Sequence, residues 1–310
     1  MGIFAKQKKD PFARGCVGQV GEILRSRCEG SRCLMICGEE ARLTHAKALL
    51  EVLTTAGFET ELALYADRDR LAEQVAEASP EILFVFGEGE TWRGAEEVVR
   101  EMPHIHLAVM PATFRGALTI PPRGARIPDS FFCDADLFIE EKEETYREGI
   151  IYAIRLGLAF DRWVFDAMYS SFDPSPVVRR SVGIWHDLIK AEEAGSEARK
   201  YLSCGGYLAK VAKRLDESLT DAEALGIGLL WESKIARAVG VAREKYYDDL
   251  LGMLSFWGFP LGIEVSREEL TEAVQGVAVP QDEVTLYLAK KRGHCVPYSI
   301  SYEKLIALLG

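Results

Sequence analysis

Residues 82–94 read Ile82-Leu-Phe-Val-Phe-Gly-Glu-Gly-Glu-Thr-Trp-Arg-Gly94, and this stretch decides the fold class. Its first five residues are all apolar, as expected of a strand that is covered on both faces of a sheet. Gly87 and Gly89 then mark a tight turn, and residues 92–101 have the pattern of a helix. A buried strand, a glycine turn and a helix form the repeating unit of a parallel α/β sheet.

The same alternation extends on both sides of this stretch. The sequence predicts strands at residues 33–37, 58–65, 82–86, 105–110 and 131–136, and further helices at residues 17–30, 40–56 and 70–78. Strands that alternate with helices in this way predict a Rossmann-like parallel sheet with helices on both faces.

The pattern changes after Ile139, and the second half is predicted to be mostly α-helical. Predicted helices span residues 140–169, 177–193, 197–217, 221–239, 242–257 and 268–277, followed by a hairpin (284–289 and 295–300) and a last helix, 302–309. We therefore predict two domains, an α/β domain at residues 1–139 and a helical domain at residues 140–310. A chain of 310 residues is long enough for two cores.

Composition and charge exclude several classes of partner. The formal charge is −11, so the chain lacks the basic excess that binding to nucleic acid requires. No apolar run reaches 18 residues, and the basic segment at residues 1–9 is not followed by an apolar one, which argues against a membrane span or a secretory signal. We expect a soluble, cytoplasmic protein.

Two groups of metal-binding residue types stand out, and both have a plainer interpretation. The seven cysteines match no common zinc spacing, and we expect reduced cysteines that are mostly buried in the core. His104 and His106 flank Ile105 on a predicted strand, so both imidazoles would lie on one face. They suit either a metal pair or a structural role, and no third ligand can be assigned.

The glycine turn after residue 86 also has two interpretations. A glycine-rich turn between a strand and a helix N-terminus lets backbone amides approach a pyrophosphate, so Gly87 and Gly89 could bind NAD. Glu88 and Glu90 would place two negative charges where the pyrophosphate lies. The alternative is an ordinary turn between a strand and a helix.

Several motifs along the chain resemble those of a known family. The order of elements is similar to that of dehydroquinate synthases, within the superfamily that includes iron-containing alcohol dehydrogenases and glycerol dehydrogenases. The segments that carry the resemblance are Cys37-Gly-Glu-Glu40, Gly87-Glu-Gly89 at the nicotinamide-binding turn, Met110-Pro-Ala-Thr113, Pro128 to Asp134, Arg199-x-x-Leu202 with Gly205, Glu223-Ala-Leu-Gly-Ile-Gly228, and Gly258-Phe-Pro260. Their correct order along most of the chain implies the two-domain fold of this family.

The departures from the family fall on its chemistry. Family enzymes hold a divalent metal with one glutamate and two histidines, and the resemblance aligns those positions with Tyr152, Gly206 and Asp221. A zinc site needs about three protein ligands, so we expect no metal here, although Cys204 and Asp221 could be a two-ligand remnant. The connection between Pro111 and Pro128 is also too short for the family's phosphate-gripping loop, and the family's late Asp-Lys-Lys motif has no counterpart near residues 275–282.

The resemblance leaves positive charge at the former active site. The family lysine on the glutamate-bearing helix becomes Arg155, a further family histidine aligns with Lys210, and Arg199 is retained. These three cations predict a small anionic ligand in an interdomain cleft, with a solvated basic patch as the alternative. We therefore expect an inactive or non-classical homologue with a binding or regulatory role, forming a homodimer as its relatives do. The alternative is an active dehydroquinate synthase-type cyclase or NAD-dependent alcohol dehydrogenase with an altered site.

Overall fold

The computed structural model describes residues 10–38, 43–169, 173–242, 244–277 and 283–310. The strands are β1 (Arg32–Cys37), β2 (Glu59–Leu64), β3 (Ile82–Gly87), β4 (His106–Pro111), β5 (Ser130–Phe131), β6 (Glu283–Lys291) and β7 (His294–Ser301). The helices are α1 (Val20–Arg25), α2 (Leu43–Thr55), α3 (Arg68–Ala78), α4 (Gly89–Val99), α5 (Phe114–Ala117), α6 (Glu143–Ala159), α7 (Arg162–Ala167), α8 (Pro174–Glu193), α9 (Gly206–Leu215), α10 (Asp221–Ala238), α11 (Glu244–Phe256), α12 (Arg267–Val277) and α13 (Tyr302–Leu309).

The first compact unit contains a five-stranded parallel sheet, which confirms the predicted α/β architecture. The strand order is β2-β1-β3-β4-β5. All six residues of the central strand β3 are buried, as its continuous apolar sequence predicts. The edge strand β2 is partly exposed along its length, because only one of its sides has a neighbouring strand.

The predicted fifth strand is mostly wrong. The sequence placed it at residues 131–136, but β5 covers only Ser130 and Phe131. The buried carboxylate of Asp134 accepts hydrogen bonds from the backbone N–H groups of Gly15, Val17 and Asp136. It thereby caps a short 3-10 helix, Ala135–Glu140, and the capping interaction ends the extended segment.

The second compact unit is helical and ends in the predicted hairpin of β6 and β7 followed by α13. Two of its predicted helices are interrupted. Asp161 accepts a hydrogen bond from the Trp163 N–H and begins α7, so residues 140–169 form two helices. Gly205 has a φ of 76°, which separates a 3-10 helix, Ala198–Ser203, from α9. Thr220 and Glu223 form a capping box at the start of α10, close to the predicted position.

The boundary between the compact units differs from the predicted residue 139. The first unit contains residues 1–146 and 173–185, and the second contains residues 147–172 and 186–310. Aromatic packing explains why residues 173–185 belong to the first unit. Trp185 is 1% exposed, stacks on Trp92 with ring centroids 6.0 Å apart, and meets the edge of Phe131 at 5.1 Å.

The start of the helix predicted at residue 40 lies outside the described residues, as do residues 278–282 of the late-motif region. In the described part of the chain, no helix is long and apolar enough to cross a membrane. All seven cysteines lie within the described residues and are thiols rather than disulfides; six are buried and Cys28 is partly buried.

Candidate functional site

Four helices of the second unit surround an open cavity of about 810 Å³. α6, α9, α10 and α12 supply the walls. The lining residues are Tyr152, Arg155, Gly206, Ala209, Lys210, Lys213, Arg214, Glu217, Asp221, Ala224, Leu225 and Val277. We call this space the helical cavity. It brings together five of the seven candidate residues from the second half of the chain and leaves out Arg199 and Cys204.

Two glycines set the position of α9 in the wall of the helical cavity. A Cβ atom at Gly228 would lie 2.6 Å from the backbone nitrogen of Ala209 and would also clash with the carbonyl oxygen of Gly205. α10 therefore approaches the first turn of α9 more closely than any larger residue would permit. Gly206 has open space where its Cβ would be, so the cavity begins at the first turn of α9.

Cations outnumber acids in the lining. Arg155 lies over the ring of Tyr152, with its guanidinium carbon 4.5 Å from the ring centroid. Lys210, Lys213 and Arg214 follow on α9, opposite the two acids Glu217 and Asp221. The ammonium group of Lys213 lies 3.9 Å from a carboxylate oxygen of Asp221 and donates to the Leu219 carbonyl. The remaining excess of positive charge favours an anionic ligand.

Arg199 does not line the helical cavity. Its guanidinium forms two hydrogen bonds with the carboxylate of Glu192, at 2.5 and 2.9 Å, and both side chains are largely buried. This bidentate pair gives Arg199 a structural partner. Arg199 is therefore not among the residues that line the helical cavity with Arg155 and Lys210.

The residues of the helical cavity do not fit a divalent metal. Of the three positions aligned with the family's ligands, Tyr152 and Gly206 offer no usual ligand, and the side chain of Asp221 is 89% exposed. Cys204 is 2% exposed, and a hydrogen bond with the Cys295 thiol, together with burial, raises the pKa of Cys204 well above its ordinary value. Cys204 does not line the helical cavity, and together with Asp221 it would supply only two of about three protein ligands. The described residues include no group of three His, Cys, Asp or Glu side chains that could hold a metal ion.

The histidine pair is also not arranged as predicted. His104 lies in a turn before β4, and only His106 is part of the strand. The Nε2 atom of His106 is 2.9 Å from the Ser130 hydroxyl, and burial lowers the pKa of this imidazole. His106 thus has a structural partner across the β4–β5 pair.

The glycine turn of the first unit is packed by the chain itself. A Cβ at Gly87 would lie 3.0 Å from the Cα of Gly38, and one at Gly89 would lie 2.5 Å from the Thr119 hydroxyl. Gly89 is buried, whereas Glu90 in the same first turn of α4 is exposed. These glycines permit close packing between the strand ends and residue 119. With Gly89 covered and two carboxylates beside it, the turn does not fit a dinucleotide pyrophosphate.

Sequence reasoning missed Lys213, Arg214 and Glu217. The signal was available for the two cations, because Lys213 and Arg214 follow Lys210 on α9 at intervals of three and four, whereas Glu217 lies two residues beyond the end of that helix. Residues at this spacing share one face of a helix. Once Lys210 was placed at the site, the face it belongs to could have been identified from the sequence.

Comparison with known sequences agrees with the fold and the order of motifs. No family model matches the chain. The 3-dehydroquinate synthase of Pyrobaculum islandicum is 25% identical over 270 residues, covering 81% of this chain and 76% of the enzyme. The enzyme of Pyrobaculum neutrophilum is 25% identical and covers 72% and 69%. The match to the Sulfolobus acidocaldarius enzyme, also 25% identical, covers 47% of this chain and less than half of the relative, 45%.

Solved structures show the same fold over nearly the whole chain. A 2-deoxy-scyllo-inosose synthase, complexed with carbaglucose-6-phosphate, NAD+ and Co2+, superposes with a TM-score of 0.76 at 13% identity, covering 96% of this chain and 94% of that one. The chain is therefore similar in sequence to 3-dehydroquinate synthases and shares the fold of 2-deoxy-scyllo-inosose synthase. The 2-epi-5-epi-valiolone synthase of Streptomyces hygroscopicus, with NAD+ and Zn2+ bound, gives a TM-score of 0.72 at 13% identity and covers 100% and 98%. At 13% identity the structural likeness is one of fold, and a shared fold does not determine which reaction a protein catalyses.

Proposed function

We propose that this protein binds a small organic anion in the helical cavity and does not carry out metal-dependent cyclisation. The proposal rests on the residues that line the helical cavity, which lack a set of metal ligands and include four cations. The positions aligned with the family's metal ligands are Tyr152, Gly206 and Asp221, and the same cavity is lined by four cations. Binding an anion needs the cations, whereas the cyclase reaction needs the metal.

The electrostatic setting supports this proposal. The chain as a whole carries a formal charge of −11, yet cations exceed acids in this cavity. Arg155 is held against the ring of Tyr152, which limits the side-chain entropy that would be lost on binding. A guanidinium offers paired donors to a carboxylate or phosphate, and Lys210 adds a second positive charge.

Calorimetric titration with inorganic phosphate and with benzoate tests the proposal. We expect binding that weakens as salt concentration rises, and a loss of about tenfold or more in affinity for Arg155→Gln, because a charge-assisted hydrogen bond is removed. Lys210→Gln should also weaken binding. Lys190→Gln is the matched control, since Lys190 is exposed on α8 and does not line the cavity. If neither anion binds, or if all three variants bind equally well, the proposal is wrong.

The second candidate function is an active enzyme, either a dehydroquinate synthase-type cyclase or an NAD-dependent alcohol dehydrogenase. The match to a 3-dehydroquinate synthase over 81% of this chain favours it. Expression in a strain that lacks dehydroquinate synthase provides the test. Growth that depends on this protein would support the second candidate and count against the first. A cytoplasmic location, a homodimer and a regulatory role stay predictions.

A further inference from the structure

We infer that the anion bound in the helical cavity is a carboxylate with an apolar body, such as a ring without hydroxyl groups. This inference rests on the proposed function and adds a ligand class to it. A ligand of this class differs from carbaglucose-6-phosphate, which is bound in the solved complex of 2-deoxy-scyllo-inosose synthase.

The floor of the helical cavity is apolar. Ala224 and Leu225 of α10 are 2% and 4% exposed, so they close the bottom of the space. Ala209 and Val277 continue this surface as partly exposed walls. Gly206 adds open volume, because nothing lies within 4 Å of where its Cβ would be. None of these five residues has a side chain that can form a hydrogen bond.

The charged groups lie above this floor. Lys210 and Arg214 are exposed, and Arg155 is partly buried beside the ring of Tyr152. A ligand that fits this arrangement places its apolar body on the alanine and leucine surface and its carboxylate among the cations. Such a ligand gains from apolar burial and from charge-assisted hydrogen bonds at the same time.

A polyhydroxylated ligand fits less well for the same reason. Each hydroxyl over Ala224 and Leu225 would lose its hydrogen bonds to water and find no side-chain partner on the floor. The side-chain acceptors in the lining are the hydroxyl of Tyr152, which is not on the floor, and the exposed carboxylates of Glu217 and Asp221. The negative charge of the two carboxylates also repels an anion. The cavity therefore selects against hydroxyl groups on the body of the ligand.

Calorimetric titration of the full chain with three probes tests this inference: cyclohexanecarboxylate, its tetrahydroxylated counterpart quinate, and inorganic phosphate. We expect cyclohexanecarboxylate to bind about tenfold or more tightly than quinate and phosphate. If quinate or phosphate binds as tightly as cyclohexanecarboxylate or more tightly, the ligand class is wrong while anion binding stands. If none of the three binds, the proposed function itself fails.

A pair of glycine substitutions locates the apolar body. Gly206→Leu fills the open volume of the cavity. Gly206 has no positive φ and no atom within 4 Å of its Cβ position, so we expect the variant to fold. Its affinity for cyclohexanecarboxylate should fall by about tenfold or more. Gly183→Leu is the matched control, because Gly183 is also helical and open to solvent but lies on α8 and is not a lining residue of the cavity. Unchanged affinity of Gly206→Leu would overturn the inference, with circular dichroism of both variants verifying the fold.

Discussion

The close contact between α9 and α10 gives the most direct test of how the helical cavity is built. We predict that Gly228→Ala destabilises the second unit. The added Cβ would lie 2.6 Å from the Ala209 nitrogen and would also clash with the Gly205 carbonyl oxygen. Both are backbone atoms, so no side-chain rotation can relieve the clash, and α9 must move away from α10.

The magnitude follows from two opposing effects. Replacing glycine by alanine inside a helix stabilises by about 1 kcal/mol, because alanine loses less backbone entropy on folding. Overpacking a close contact costs about 1–3 kcal/mol or more. We therefore expect a net loss of about 1–2 kcal/mol in the free energy of unfolding, together with weaker anion binding because the first turn of α9 lines the helical cavity.

Gly226 provides the control on the same helix. A Cβ there would meet Phe259 at 3.5 Å and Ile151 at 3.7 Å, which are ordinary van der Waals distances. Gly226→Ala should therefore stabilise the protein by about 0.5–1 kcal/mol, with no conflicting contact. Urea unfolding followed by circular dichroism measures both variants. If Gly228→Ala proves as stable as Gly226→Ala, the close approach of α9 and α10 is refuted.

Three further predictions concern buried charged groups and the three positions that the resemblance aligns with metal ligands. Burial raises the pKa of Glu232 well above its usual range, so the folded state retains a proton that the unfolded chain releases. The free energy of unfolding should therefore fall as pH rises above about 4.3. Urea unfolding at pH 5 and pH 8 should show this decline for the original protein but not for Glu232→Gln, and an unchanged decline in the variant would contradict the prediction. Arg292 donates hydrogen bonds to the carboxylates of both Asp166 and Asp249, so Arg292→Gln should lower the free energy of unfolding by about 1–2 kcal/mol. Arg162 also pairs with Asp166, but its side chain is 73% exposed, so Arg162→Gln should lower it by less than about 0.5 kcal/mol. Equal losses would show that the double pairing of Arg292 does not stabilise the fold. Zinc should raise the Tm of a triple variant that carries Tyr152→Glu, Gly206→His and Asp221→His. Zinc at a hundred times its Kd would stabilise the variant by about 2.7 kcal/mol. If zinc does not raise the Tm, the three side chains do not reach a common metal position.

The periodic part of the fold was predictable because hydrophobic spacing reports burial directly. The continuous apolar run at residues 82–86 marked the central strand, and β3 is buried along its whole length. The interruptions were harder to predict. Asp134 ends β5 by accepting hydrogen bonds from Gly15 and Val17, more than one hundred residues earlier in the chain. No local pattern around residue 134 encodes these partners.

The same distinction between local and distant partners applies to the candidate site. Tyr152, Gly206 and Asp221 were located by resemblance, and they line one cavity although they belong to three different helices. Arg199, which does not line that cavity, pairs with Glu192 at the end of α8. Gly195, with a φ of 80°, reverses the chain between them, so neither helical spacing nor the resemblance could predict that pair.

The positive charges of the helical cavity can be compared with the charge that a divalent metal would supply. A divalent metal both binds an anionic ligand and polarises it, and losing the metal ligands removes both effects. Fixed cations such as Arg155 and Lys210 can replace the first effect but not the second, because a guanidinium or ammonium group attracts an anion without acting as a Lewis acid. Gly205 and Gly228 set the contact between α9 and α10. Under the proposed function, the cations of this cavity bind an anion, and without a Lewis acid the anion is released unchanged.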